Sequence, residues 1–119
     1  MSGKIGMLMR KSPYGTVYPA EGFRAMMGVA VFEMDLCAIF VDDGVYLLVK
    51  GQDPEEIGMK PLSEGFRSLP EVGVSEFYVH DESLRERGLS PEDLVMEARI
   101  VNAEEVHRIL DGCAAVLPF

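Results

Sequence analysis

Short apolar runs separated by polar, turn-rich segments constrain this chain more than any other feature. Lys4-Ile5-Gly6-Met7-Leu8-Met9, residues 36–41 and residues 74–79 are too brief for core helices. The first two also lack the alternation of a sheet wetted on one side, so they read as strands covered on both faces. Segments with helical spacing lie between the runs. Strand and helix alternate about five times with short links, which calls for a mostly parallel sheet of about five strands with helices on both faces, a three-layer α/β domain. At 119 residues the chain fits one domain, 1–119, with a core that needs no disulfide or metal staple.

Taken in order, the first run reads as the central strand. A turn follows, with Pro19 in the first turn of a helix, where a missing amide hydrogen costs nothing. The turn lacks P-loop spacing, and Gly15-Thr16 alone is a weak phosphate signal. Residues 20–34 are helical and apolar on most of the circumference, with charges only at Glu21, Arg24 and Glu33. Such a helix is buried on nearly all sides, and its outer face, with Gly22, Ala25 and Gly28, is expected in a subunit contact. Asp42-Asp43-Gly44 ends the second strand and opens a short helix. No other carboxylate or histidine accompanies the aspartate pair, so a helix cap with a solvated neighbour is preferred over a divalent-metal or phospho-acceptor site.

The second half repeats the pattern: a modest helix over 61–69, the strand 74–79, and a helix capped by Asp81 and stopped at Gly88. Ser90-Pro91-Glu92-Asp93 is another helix start. Residues 94–100 read as a strand near the sheet edge, with Glu97 and Arg99 on one face. Asn102 and Glu105 form a capping box for a last helix, and residues 113–119 a final strand in which Pro118 demands an edge or an end.

A net charge of -9 with no run of basic residues argues against direct nucleic-acid binding, because phosphate contacts need a basic surface. The apolar runs fall far short of a membrane span, which makes a cytoplasmic protein the default. Eight Met and an apolar content of 48% are generous for a small domain and point to surface buried against other subunits. Cys37 and Cys113 lie far apart in sequence and form neither a CxxC pair nor a four-ligand metal cluster, so they read as buried free thiols. In a parallel sheet, the loops after Met9, Val41 and Val79 gather at the carboxyl ends of the strands. A loop site there would combine Tyr14, Thr16, Asp42, Asp43, Asp81 and Ser83 around His80, whereas His107, beside Glu104 and Arg108, belongs to the surface.

Several segments resemble the DsrE/DsrF/DsrH-like sulfur-relay family, closest to its DsrF/TusC branch. They are Pro13-Tyr14-Gly15-Thr16 with Glu21-Gly22, Asp42-Asp43-Gly44-Val45 with Gly51-Gln52, Ser83-Leu84-Arg85-Glu86-Arg87-Gly88-Leu89, and the strand ending at Phe119. Each is weak alone; their order and spacing across nearly the full length carry the resemblance. It implies a cytoplasmic subunit of flavodoxin-like architecture in a heterohexamer of three homologous kinds of chain. Such assemblies pass persulfide sulfur toward tRNA 2-thiouridine or function in dissimilatory sulfur metabolism. It implies no cofactor and no catalysis by this chain alone.

The resemblance also places His80 where the carrier branch has its persulfide cysteine, just after the third strand. Imidazole cannot hold a persulfide, so the chain is expected to build and shape an assembly rather than carry sulfur. His80 would then either stabilise a partner's thiolate as an imidazolium or be a solvated loop residue. Homologous DsrE/DsrH-like chains, or further copies of this one, are the expected partners. Two other readings stand beside this one: a stand-alone sulfurtransferase using Cys37 or Cys113, and a small-ligand module using the loops after the first two strands.

Overall fold

The structure is a computed structural model that describes residues 4–12, 18–31, 35–49, 62–74 and 76–119. Five strands, β1 (Ile5–Met9), β2 (Leu36–Phe40), β3 (Glu76–His80), β4 (Arg99–Val101) and β5 (Ala115–Pro118), form one sheet in the order β4-β3-β2-β1-β5. Every pairing is parallel. The helices are α1 (Tyr18–Val31), α2 (Leu62–Ser68), α3 (Asp81–Glu86) and α4 (Ala103–Asp111), with 3-10 helices at Asp42–Leu48, Leu69–Val72 and Pro91–Asp93. The parallel α/β architecture is the one the apolar runs predict, but β2 rather than β1 takes the middle, because β5 returns to the far edge beside β1.

The strand order explains how the helices divide between the two faces. From β1 to β4 the sheet grows in one direction, and right-handed crossovers then stack the intervening helices on one side; the return from β4 to β5 runs the opposite way and drops α4 on the other. Side-chain alternation along β2 reads out both sides. Leu36, Ala38 and Phe40 join the larger core with Met7, Met9, Met26, Phe66 and Leu84, while Cys37 and Ile39 join Val101 and Val106 beneath α4. All five β2 residues are consequently buried. Phe66 of α2 meets Phe40 and Phe23 edge-on, with ring centroids 5.5 and 5.4 Å away.

Two local expectations change. Gly22 faces inward rather than toward a partner: a Cβ there would lie 2.8 Å from Met9 Cε and 3.0 Å from a Phe119 ring carbon. Elsewhere on α1, Ala25, Met27, Val29 and Ala30 are partly buried against the larger core, and Gly28 is exposed with no atom within 4 Å of a Cβ built there. The strand expected over 94–100 shrinks to β4, because Leu94 is drawn into the larger core and forms an antiparallel bridge with Val49. β4 does lie at the sheet edge, as does β5, whose last residue is Pro118. The capping box of α4 is present: Glu105 N–H donates to Asn102 Oδ1 at 2.8 Å and Asn102 N–H to Glu105 Oε1 at 3.2 Å.

One glycine is required by a close backbone approach. A Cβ on Gly44 would collide with the carbonyl oxygen and carbon of Met9, which are main-chain atoms held in the sheet. The 3-10 helix can cross the end of β1 only without a side chain at that point. Gly44→Ala is therefore expected to cost about 3 kcal/mol of unfolding free energy, seen as a lower urea midpoint at unchanged m-value.

Candidate functional site at the carboxyl end of the sheet

β3 runs directly into α3, so His80 is both the last strand residue and the helix N-cap. This removes the capping role expected of Asp81, which is the first helical residue. Its carboxylate accepts the Glu82 N–H at 2.6 Å and lies 3.5 Å from Arg85, where the positive end of the helix favours it. Ser83, one turn into α3 and only 2% exposed, is the hub of the cluster. Its Oγ accepts the Asp42 N–H at 2.9 Å and shares a 2.7 Å hydrogen bond with His80 Nδ1. Arg87 donates from Nη1 to the Ser83 carbonyl at 3.1 Å and from Nε to Asp43 Oδ1 at 3.1 Å, with Nη2 of the same guanidinium 3.0 Å from that oxygen.

These contacts bring Asp42, Asp43, Ser83 and His80 together at the ends of β2 and β3, while the contacts of Asp81 among the described residues stay within α3. Tyr14 and Thr16 lie outside the described residues. Neither aspartate caps the 3-10 helix, because Val41 is its N-cap. Asp42 instead adopts φ 50°, left-handed geometry that aspartate tolerates better than most residues and that aims its amide at Ser83. Among the described residues no cluster of three or more His, Cys, Asp or Glu side chains can hold a metal. Sequence reading missed Arg87, which sits among the motif residues but shows no sign there of reaching Asp43, 44 positions away.

The histidine-serine contact resembles a base beside a nucleophile, yet its surroundings exclude that use. Ser83 is buried, and its oxygen already receives a backbone amide, so among the described residues it is not presented as an accessible nucleophile. His80 is half-buried, and its Nε2 is buried with no hydrogen-bond partner among the described residues. The cluster fixes the β3–α3 junction to the end of β2 and offers no thiol.

Both thiols lie toward the other end of the sheet. Cys37 pairs in register with Glu76 of β3 and Gly6 of β1, and Glu76 precedes His80 by four residues, about 13 Å along an extended strand. Cys113, in the turn between α4 and β5, lies beside it with the two Sγ atoms 3.9 Å apart. The expectation of buried thiols holds for Cys37 and only in part for Cys113, which is half-buried. Burial pushes the Cys37 thiol up to about 12, reinforced by Cys113. Nearby, Lys4 Nζ donates to Glu76 Oε1 at 2.7 Å and the Tyr78 hydroxyl to the same oxygen at 3.1 Å. The hydrogen bond to Glu76 raises the Lys4 pKa, and burial followed by Glu76 raises that of Tyr78.

Fold and cluster together define a small parallel α/β protein with a polar junction built on one buried serine where the strands end. The family model described as DsrE/DsrF-like matches residues 3–119, and the chain belongs to that family. It is 46% identical over 92 residues to the intracellular sulfur oxidation protein DsrF of Allochromatium vinosum, covering 77% of this chain and 68% of that protein. It is 31% identical over 117 residues to protein TusC of Escherichia coli, covering 98% of each. The crystal structure of the ychN protein from E. coli superposes with a TM-score of 0.86 over the whole of both chains at 21% identity, which establishes the shared fold.

Ser83→Ala leaves the Asp42 amide and His80 Nδ1 without their partner and is expected to cost about 2 kcal/mol in chemical denaturation. The Cys37 environment sets a sign for alkaline stability. The unfolded chain ionises this thiol near 9.0 and the folded chain near 12, so the folded state binds more protons between them and stability falls as pH rises through that window. Below it the contribution is fully present. Lys4 and Tyr78, both raised, act in the same direction. Denaturation curves from pH 8 to 11 should show this decline, made shallower by Cys37→Ala.

Proposed function

We propose that this chain works as a single domain and as a non-carrier, DsrF/TusC-like subunit of a cytoplasmic sulfur-relay assembly. It contributes structure and shapes a partner's site instead of bearing the persulfide. The observation that carries this reading is His80: the last residue of β3, where the resemblance implies the carrier branch has its cysteine, holds an imidazole bonded to a buried serine. Sulfur transfer needs an accessible thiolate, and both cysteines of this chain sit well away from that junction. The name of the A. vinosum relative, an intracellular sulfur oxidation protein, supports a role in sulfur chemistry, and the resemblance to the TusC branch implies tRNA thiolation as the other setting.

Assembly with homologous DsrE/DsrH-like chains is the partner reading we favour. The surface supports it at β5, an edge strand on which Val116 and Leu117 are each 38% exposed, the large apolar side chains exposed among the described residues. An open edge carrying apolar side chains is a ready pairing surface. Co-expression with such chains should give a stable hetero-oligomer by light scattering. Intact-mass spectrometry after treatment with a persulfide donor should place the added sulfur on a partner. A chain that stays monomeric beside its partners sinks the assembly claim. A sulfur adduct on this chain that passes to an acceptor and disappears on Cys→Ser substitution sinks the non-carrier claim.

A further inference from the structure

We propose that Cys37 and Cys113 form a thiol–disulfide exchange site that takes a small disulfide and closes into an intramolecular cystine, joining the middle of the sheet to the α4–β5 turn. The sulfurs are 3.9 Å apart although the residues are separated by 76 positions. A cystine bond of about 2.0 Å is reached by moving one of them. Cys37 is fixed in β2 and fully buried; Cys113 sits in a turn outside the regular elements and is the half-buried one. Incoming reagent therefore meets Cys113 first.

The fold makes room for this pair. A Cβ on Gly6 would fall 2.9 Å from Cys113 Sγ, so the absence of a side chain at that point of β1 lets the sulfur lie over the sheet beside Cys37. Cys113 also donates its S–H to the Ile109 carbonyl at 3.2 Å, leaving Cys37 as the donor in the contact between the sulfurs. That arrangement gives the two thiols different parts in the exchange.

In the first step the Cys113 thiolate attacks a disulfide R–S–S–R, forming Cys113–S–S–R and releasing one RS⁻. In the second, Cys37 loses its proton as its sulfur attacks Cys113 Sγ, breaking the mixed disulfide and releasing the other RS⁻. The two cysteine protons end on the two departing thiolates. The cysteines together lose the two electrons that the reagent gains. Because burial holds Cys37 as a thiol at neutral pH, the second step is the slower one, and its rate should rise roughly tenfold per pH unit while the thiolate fraction is small.

Oxidised glutathione is the probe, applied to the reduced full-length chain under conditions where circular dichroism reports it folded. The expected product is a monomer lighter by two hydrogens, with a single peptide pair linked through Cys37 and Cys113, restored by dithiothreitol. Cys37→Ala should stop at a glutathione adduct on Cys113, and Cys113→Ala should stay unmodified. A wild-type chain that stays reduced, stops at the adduct even at pH 9, or cross-links only between molecules overturns the proposal. Since the reaction needs neither persulfide nor partner chain, its outcome is separate from that of the sulfur-relay reading.

Discussion

The contact on which the carboxyl end of this sheet depends is the approach of Gly44 to the Met9 carbonyl. Met9 already accepts the Val41 N–H at 3.0 Å, so the end of β1 is joined to the chain leaving β2. The 3-10 helix then lies across that end and contributes Val45, Leu47 and Leu48 to the larger core. Its first two residues reach the other way. Asp42 presents its amide to Ser83 and Asp43 its carboxylate to Arg87, which ties the end of β2 to the β3–α3 junction. A backbone clash forbidden at one residue thereby sets the geometry of the polar cluster on which the His80 position rests.

Polarity along the strands separates two kinds of chemistry. At the carboxyl end, charge-assisted hydrogen bonds surround a serine that is sealed from solvent, an arrangement suited to holding a surface in shape. Toward the amino end, beneath the side covered by α4, two thiols meet beside the Lys4–Glu76–Tyr78 cluster. Because α4 is the return crossover, the smaller core owes its existence to the same topological step that puts β5 at an open edge. The thiol pair and the exposed apolar strand are thus two results of one connection.

Much of the architecture was legible because it depends on local pattern. The apolar runs at β1 and β2, the Asn102–Glu105 box and the requirement that Pro118 stand at an edge each report on their own few residues. Reading failed where a distant contact overrode the pattern. Residues 94–98 have the composition of a strand, but burying Leu94 in the larger core drew them off the sheet. Gly22 looks like an interface residue on a helical wheel until Met9 and Phe119 are seen to fill the space before it.

By itself the sequence determined the parallel α/β class and the acidic balance with no run of basic residues, since each follows from residue type and short-range order. Only the tertiary structure decided what the side chains meet. Ser83 became buried, Arg87 found Asp43, and Cys37 and Cys113 came within 3.9 Å across 76 positions. The physical reason is that register and crossover direction bring these groups together through backbone pairings spread over the whole sheet, and no short stretch of chain encodes that sum.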